Sequence, residues 1–168
     1  MRPNIGLTGS KEAVPENYSG NLDEIDRTIL QILRTDSRTT ATTIAKVTKL
    51  SKTAVKYRID RLRESGVIKG FFALVDSAAY GKSLSVVFDL TVEHRRIEEV
   101  AALIGNLLEV VRTYELTNSP ELHVHALFSG QSEMERFLKT KLYPVPGITG
   151  IKTGIIIKRY KIDVTLTV

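Results

Sequence analysis

The residue types best suited to chemistry are cations, and they concentrate in residues 49–70, which read KLSKTAVKYRIDRLRESGVIKG. Three apolar residues of this stretch recur at helical spacing and predict a buried seam: Val55, Ile59 and Leu62. The cations project from both flanks of that seam: Lys52, Lys56 and Arg63 on one, Arg58 and Arg61 on the other. A helix of this kind displays positive charge and suits a polyanionic partner.

The net charge is concentrated in the same part of the chain. The 168 residues together carry +5. Residues 21–75 contain eleven Lys and Arg against six Asp and Glu, whereas residues 76–168 contain eleven of each. A basic module followed by a neutral one indicates a nucleic-acid-binding head joined to a domain with another task. The alternative is a solvated basic face in which Arg58 or Arg61 pairs with a neighbouring carboxylate or with the first helix.

Capping signals divide the basic module into three short helices. The residues that suit the N-cap positions are Asp23, Thr40 and Ser51. The helices that follow are expected to span about 23–35, 41–47 and 51–64. Gly66 then supplies the left-handed conformation in which helices commonly end.

Three short helices with a tight connection before a basic third helix describe a helix-turn-helix, whose third helix enters the major groove of DNA. We expect four of its residues to make base-edge and adjacent contacts: Lys52, Thr53, Lys56 and Tyr57. Four others are candidates for phosphate contacts, which position the protein without reading sequence: Arg38, Ser51, Arg58 and Lys69. Lys69 lies in a β-prone run, 67–75, that is expected to form a strand and act as a wing.

Residues 83–168 follow a different pattern, in which short apolar-alternating segments are separated by helical ones. Strands are expected near 84–92, 110–117 and 122–128 and from Ile151 onward. The helices are expected near 97–108 and after Ser132, which begins a capping box that Glu135 completes. The order β-α-β-β-α-β predicts a ferredoxin-like domain, and with the helical head it makes an α+β protein.

The expected organisation therefore has four parts. Residues 1–20 lack a period and are expected to form a flexible tail. Residues 21–70 form the helix-turn-helix domain, 71–82 a linker strand, and 83–168 the ferredoxin-like domain.

Two histidines, His123 and His125, lie on one side of an expected strand because side chains alternate along it. Two histidines without a third ligand do not make a zinc site, and the chain has no cysteine. We therefore expect no metal, and interpret the pair as part of a polar strand face at a subunit contact. Histidine titrates near neutrality, so such a contact would be sensitive to pH.

The sequence lacks the motifs that are typical of several other classes of protein. The sequence has no Gly-rich phosphate loop, Ser nucleophile elbow or HExxH helix. No apolar run approaches the roughly 20 residues that span a bilayer, and residues 1–20 lack the apolar region of a secretory signal. We expect a cytoplasmic protein that has no membrane partner and no cofactor and is not an enzyme.

The sequence resembles the Lrp/AsnC (feast/famine) family of prokaryotic transcription regulators over about residues 21–160. The most specific part of the match is Leu22-Asp23-x-x-Asp26-x-x-Ile29-Leu30, then Arg38, then Ser51-x-x-Ala54-Val55-x-x-Arg58-Ile59-x-Arg61-Leu62-x-x-x-Gly66-Val67-Ile68. A looser match continues through Gly81, Val110-Val111, Phe137, Leu142, Pro146-Gly147-Ile148 and Thr153.

The resemblance implies a dimer built through ferredoxin-like (RAM/AsnC-type) domains, often assembled further into tetramers or octamers. It also implies that this domain senses a small molecule, commonly an amino acid. The family's Thr-Gly-Asp-x-Asp-like loop is replaced here by TNSPE, and Ile151 stands where a threonine is usual. This departure implies a different ligand or none. The effector-binding candidates are Asn118, Ser119, Glu121 and Thr153.

These observations predict a sequence-specific DNA-binding transcriptional regulator that reads pseudo-palindromic operators as a homodimer or higher oligomer. The hypothesis includes modulation by an amino acid or another small molecule. Two other hypotheses stay open at this point. One is an architectural protein that compacts DNA without an effector. The other is a haem-pathway decarboxylase-like enzyme on the same two-domain build, with His123 and His125 serving a tetrapyrrole carboxylate.

Overall fold

The computed structural model of the protein describes residues 22–117 and 121–161. The expected tail, 1–20, and two effector candidates, Asn118 and Ser119, lie outside the described residues. Within them the chain divides into two compact units between Leu74 and Val75.

The N-terminal unit consists of three helices, α1 (Glu24–Thr35), α2 (Ala41–Thr48) and α3 (Lys52–Glu64). Each begins where the capping signals predicted. The side-chain oxygens of Asp23, Thr40 and Ser51 accept the backbone N–H groups of Asp26, Thr43 and Ala54. Such bonds satisfy donors that have no partner inside the helix, which is why these residues mark helix starts.

One apolar cluster holds the three helices together. Its buried members are Ile29, Leu33, Ile44, Val55 and Leu62. Ile59 packs against the cluster while staying partly exposed, which confirms the predicted seam of α3. Gly66 adopts the left-handed conformation after α3, with φ 74°, and Ile68 N–H closes the helix end on the carbonyl of Leu62.

The strand expected over 67–75, and within the linker 71–82, is not formed. Residues 65–83 contain no strand. Val67 and Ile68 pack against the helical cluster, whereas the apolar side chains of 71–75 are exposed to solvent. Phe72 is 58% exposed and Leu74 is 77% exposed. A β-prone sequence becomes a strand only when a neighbouring strand takes up its backbone hydrogen bonds, and no strand in the described residues pairs with this one.

The second unit contains a four-stranded antiparallel sheet, two α-helices, a short 3₁₀-helix (His94–Arg96) and a π-helix (Leu138–Leu142). Its elements are β1 (Leu84–Val92), α4 (Ile97–Gly105), β2 (Val110–Glu115), β3 (Glu121–Phe128), α5 (Gln131–Phe137) and β4 (Ile148–Ile155). The sheet order is β2-β3-β1-β4. This confirms the β-α-β-β-α-β order and the ferredoxin-like architecture.

The two faces of this sheet differ in character. Along β1 and β3 every second residue is buried, which includes Phe88, Leu90, Val124 and Phe128. These residues form the core with side chains from α4 and α5. The intervening residues occupy the other face, which we call the open face. Asp89 and His123 are paired there across β1 and β3, and Lys152 continues the row on β4.

The capping box predicted at Ser132 is wrong. Helix α5 begins at Gln131, so Ser132 already lies inside it, and no side chain caps it at Gly130. A glutamate of the first turn does bond to a serine, but the serine is Ser129, which lies before the helix. Glu133 accepts hydrogen bonds from the backbone N–H and the hydroxyl of Ser129 and pairs with Lys82. Glu133 lies in the first turn of α5 and bonds to a serine that precedes Gly130. The local motif alone did not indicate which serine would accept this role.

Candidate nucleic-acid interface

The connection between α2 and α3 is a tight turn that presents the start of α3. Lys49 ends α2 in the left-handed conformation, φ 57°, and Leu50 N–H donates to the carbonyl of Ala45 at 3.1 Å. Ser51 then caps α3 at once. A turn this short leaves the two helices little freedom relative to each other, as a helix-turn-helix requires.

The four expected base-reading residues are brought together on one exposed face of α3: Lys52, Thr53, Lys56 and Tyr57. They stand at i, i+1, i+4 and i+5, so each is one turn from its counterpart. Tyr57 is 68% exposed. None of the four makes a side-chain hydrogen bond or ion pair within the described part of the chain. Their donors are therefore available to a ligand.

Three of the four expected phosphate-contacting residues are also accessible. Arg38 lies in the α1–α2 turn with its side chain 92% exposed and 3.9 Å from Asp36. Ser51 uses an oxygen lone pair as N-cap, which leaves its hydroxyl proton able to bind an anion. Lys69 is exposed and lies after the end of α3, with its ammonium group near Gly66. Lys69 does not lie on a wing strand, because none forms.

Arg58 differs from these three, and its expected phosphate contact is not supported. Its Nη1 donates to Asp23 Oδ2 at 2.6 Å and to Asp26 Oδ1 at 2.8 Å, and only 22% of its side chain is exposed. The alternative of pairing with the first helix is confirmed. The pKa of Asp23 is lowered because it accepts the N–H of Asp26 and the Arg58 guanidinium. The same two carboxylates raise the pKa of Arg58.

Asp26 is a structural residue that the sequence reasoning missed. It is the one buried charged residue of the described chain, fully inaccessible, and it also binds the Arg61 guanidinium. A carboxylate without water is stable only when it is paired and hydrogen-bonded. A signal was present, because at 100° per residue Asp26 lies within about 60° of Ile29 and Leu33, inside the apolar stripe.

The two effector candidates that the structure describes, Glu121 and Thr153, do not converge within one chain. Glu121 lies on the open face, 4.0 Å from the Lys152 ammonium, whereas Thr153 lies beside Phe88 on the opposite, helix-covered face. Thr153 does line a shallow concavity of about 310 Å³. The other residues lining it are Tyr143, Ile148, Thr149, Gly150 and Ile151.

His123 and His125 share one side of β3, as predicted, and both are half-buried on the open face. His123 Nδ1 lies 2.6 Å from Asp89 Oδ1, and its Nε2 lies 2.9 Å from His125 Nε2. No group of three His, Asp or Glu side chains in the described residues is arranged to hold a metal ion.

The two units match two family models. Residues 22–69 match a winged helix-turn-helix DNA-binding model, and residues 85–166 match the Lrp/AsnC ligand binding domain. The HTH-type transcriptional regulator FL11 from Pyrococcus horikoshii is 35% identical over 140 residues, which cover 83% of this chain and 92% of that protein. The chain belongs to the Lrp/AsnC family of transcriptional regulators.

Further relatives agree with this assignment. FL11 from Pyrococcus abyssi is 34% identical over 84% of this chain and 93% of its own length. Ptr1 from Methanocaldococcus jannaschii is 28% identical over 83% of this chain and 95% of its own length. Among solved structures, the transcriptional regulator NMB0573 from Neisseria meningitidis, in complex with L-Met, superposes with a TM-score of 0.79. It is 22% identical over 87% of this chain and 96% of its own. E. coli AsnC superposes with a TM-score of 0.78 and is 20% identical over 83% of this chain and 95% of its own.

Membership of the Lrp/AsnC family agrees with the exposed, basic face of α3. The protein is a DNA-binding transcriptional regulator, which confirms the function predicted from the basic head. The fold class is confirmed as well, a helix-turn-helix unit followed by a ferredoxin-like one. No helix within the described ranges is long and apolar enough to cross a bilayer.

Proposed function

We propose that this Lrp/AsnC regulator reads pseudo-palindromic operators as a homodimer or a higher oligomer. The N-terminal half of α3 lies in the major groove, where Lys52, Thr53, Lys56 and Tyr57 approach base edges. Ser51, Arg38 and Lys69 bind phosphates on the flanks. The domains assigned to these tasks are 21–70 for DNA binding and 83–168 for effector binding and oligomerisation.

One observation carries the DNA-binding geometry. On α3 the cations divide into two sets, a bound set and a displayed set. Arg58 and Arg61 are held by the buried carboxylate of α1, which fixes the orientation of the helix. Lys52 and Lys56 are exposed on the part of the helix that leads into the groove. A helix whose arginines are held on one side and whose lysines are exposed on the other is suited to act as a recognition helix.

Exposed apolar side chains support self-association. Phe72, Leu74 and Val75 are each more than half exposed, and Ile157 is 97% exposed. Soluble monomers rarely leave so many large apolar side chains in water, because burying each one is favourable by about 1.5 to 3 kcal/mol. With two heads, a dimer reads half-sites about 34 Å apart, or a multiple of that distance.

We further propose that a small molecule such as an amino acid modulates DNA binding through the second unit. The concavity beside Thr153, at the lower end of the size range of ligand sites, supports this proposal. So does the L-Met held by one structural neighbour. Because Glu121 lies on the opposite face of the sheet, a ligand that touches both residues needs a contribution from a second copy. Isothermal titration with each standard amino acid tests the proposal, and no binding by any of them at millimolar concentration would overturn it.

Footprinting on the protein's own upstream region, together with binding measured at several salt concentrations, tests the main proposal. We expect discrete protected sites with two-fold related halves. Affinity should fall by orders of magnitude between about 50 and 200 mM salt, because bound phosphates release counterions. Even protection along the whole fragment would instead indicate an architectural protein that compacts DNA. Binding that does not respond to salt would overturn the phosphate contacts altogether.

We infer a regulator and not an enzyme. The relatives named above are transcriptional regulators, and His123 and His125 bond to each other and to Asp89 rather than standing ready for a substrate. We also infer a cytoplasmic location, which the family's action on prokaryotic DNA supports. Incubation with tetrapyrroles, followed by absorbance, tests the decarboxylase alternative, and a spectral change that requires His123 would establish it.

A further inference from the structure

Three titratable side chains form a chain of hydrogen bonds on the open face of the sheet. Asp89 on β1 is paired in register with His123 on β3, and their side chains meet at 2.6 Å. His125, two residues on, faces the same way, and the two Nε2 atoms are 2.9 Å apart. The rings lie 4.9 Å apart at an angle of 65°. Neither the DNA-binding head nor the effector candidates use this group.

The geometry limits how many protons the group can hold. A hydrogen bond between two ring nitrogens needs one donor and one acceptor. With both rings neutral, His123 donates from Nδ1 to Asp89 and accepts at Nε2 the proton of His125. One added proton fits on the free Nδ1 of His125 and leaves both bonds intact. A second added proton must go to Nε2 of His123, where two N–H groups would then oppose each other.

The surroundings of the group carry charges of both signs. The groups around it are Arg112 and Tyr114 on β2, Glu121 on β3, Lys152 on β4 and Arg159 after the sheet. The Tyr114 ring stands edge-on to His125 at 6.4 Å. The pKa of His125 is lowered, mainly by burial and then by His123, Arg112 and Arg159, and Asp89 opposes this. Positive neighbours therefore disfavour further protonation.

A second copy of this chain is the partner that fits the open face. A two-fold interface brings each residue of the face against others of the same face, so the face must complement itself. Asp89 and Glu121 supply negative charge, and Arg112 and Lys152 supply positive charge, in adjacent rows of the same sheet. A partner with one sign of charge would leave half of these groups opposed. A second copy matches both signs.

We propose that Asp89, His123 and His125 form a proton-linked switch that weakens the pairing of two subunits through the open face as the medium becomes acidic. The inference rests on the proposed homodimer and adds its regulation. Covering the face removes water from the histidines, which favours their neutral forms. Protonation then costs more in the dimer than in the free subunit, so proton uptake drives dissociation.

The pH window follows from the direction of the shift. A histidine whose pKa is lower in the dimer than in the free subunit stabilises assembly above its free-subunit pKa and loses that contribution as the pH falls through it. For His125 the free-subunit pKa already lies below the ordinary 6.5 because the ring is partly buried. Each subunit that gains one proton on release changes the dissociation constant by up to about tenfold per pH unit, and a dimer contains two such subunits. We expect the constant to rise at least about tenfold between pH 7.5 and 5.0.

Analytical ultracentrifugation of the full chain at pH 7.5 and 5.0 tests the proposal, using two variants. His125→Gln removes the ring that takes up the first proton and should reduce the response of the dissociation constant to pH. The matched control is His94→Gln, at the exposed third histidine outside the group, which should keep the wild-type response. A wild-type constant that does not change with pH, or a His125→Gln protein that still responds fully, would overturn the switch.

An NMR titration of the wild-type histidine rings provides a measurement independent of any variant's ability to fold. We expect the His125 ring to titrate below the ordinary pH of an imidazole, about 6.5. A His125 ring that titrates at the ordinary value would overturn the switch even if the dimer responds to pH. A protein that is monomeric at every pH would instead overturn the homodimer of the proposed function.

Discussion

The carboxylate of Asp26 lies fully buried under α3, with Oδ1 2.8 Å from Arg58 Nη1 and its other oxygen bound by Arg61. This contact joins the first helix to the recognition helix 32 residues later in sequence. It adds an ionic link between the two helices to the apolar packing of Ile29 and Leu33 with Val55 and Leu62. The cation-rich helix therefore has paired arginines on its inner side and exposed lysines on its outer side.

Replacing Asp26 should destabilise the head. Asp26→Asn keeps the shape but removes the charge that two guanidinium groups face, so we expect a loss of about 2 to 3 kcal/mol in the free energy of unfolding. The loss stays below the range for fully buried pairs because 46% of the Arg61 side chain is exposed and can be solvated. Urea denaturation followed by circular dichroism measures it. Asp60→Asn is the matched control, because Asp60 is 59% exposed and its contact with Arg63, at 3.9 Å, is long. This substitution should change stability by less than about 0.5 kcal/mol.

The salt dependence of DNA binding should separate phosphate contacts from structural cations. Lys69→Ala should reduce the slope of log affinity against log salt by about one, because one phosphate contact is lost. Arg58→Ala should leave the slope unchanged and lower the stability of the head instead. Fluorescence anisotropy with an operator duplex at five salt concentrations measures both slopes. The reverse outcome, a reduced slope for Arg58→Ala alone, would show that Arg58 leaves its carboxylates to bind DNA.

Lys56 should contribute to the choice among sequences. We expect Lys56→Ala to reduce the preference for the operator over a scrambled duplex by about 1 to 3 kcal/mol, because a side chain that bonds a base edge discriminates by that much. Competition binding at fixed salt measures the ratio. Arg63→Ala, in the last turn of the same helix, is the control and should weaken both duplexes equally if it acts at all. Equal weakening by Lys56→Ala would reassign Lys56 to a phosphate.

Glu133 should make the second unit sensitive to acid. Its pKa is lowered to about 2, first by the hydrogen bond from Lys82 and then by the two bonds from Ser129. A depressed carboxyl pKa adds stability that is complete above the ordinary value of 4.5 and is lost as the pH falls toward 2. We expect Glu133→Gln to cost about 1 kcal/mol at pH 7, the scale of a partly exposed pair.

The difference between wild type and Glu133→Gln should narrow as the pH falls from 4.5 to 2, in denaturation curves recorded across that range. Glu98→Gln, at an exposed position in the first turn of α4, controls for the loss of one negative charge. A gap that stays constant down to pH 2 would show that Glu133 stabilises the unit through its shape and not through its charge.

Features that depend on contacts within one turn were predictable from the chain alone. Asp23, Thr40 and Ser51 each bond a backbone N–H three residues on, so their position in sequence is sufficient to locate a helix start. The burial of Val55 and Leu62 follows equally from their spacing. The ferredoxin-like fold of the second unit was inferred from the order of its elements along the chain, since few topologies suit β-α-β-β-α-β.

Features that depend on a partner distant in sequence were not predictable in this way. Arg58 carries the same charge as Lys56, and only the position of α1 beside it directs one inward and leaves the other free. The run 71–82 has strand-forming residues but no strand beside it in the described chain. Glu121 and Thr153 fall on opposite sheet faces because strand register, which no local pattern specifies, decides which side each residue occupies.

The sequence by itself determined that this protein has a basic three-helix head and a ferredoxin-like second unit, because capping, periodicity and charge act over a few residues. Only the tertiary structure decided which cations are free to meet DNA, and that Asp89 and two histidines are joined by hydrogen bonds. Those outcomes depend on which residues the fold brings within about 3 Å of one another, since hydrogen bonds and buried ion pairs act only at that range.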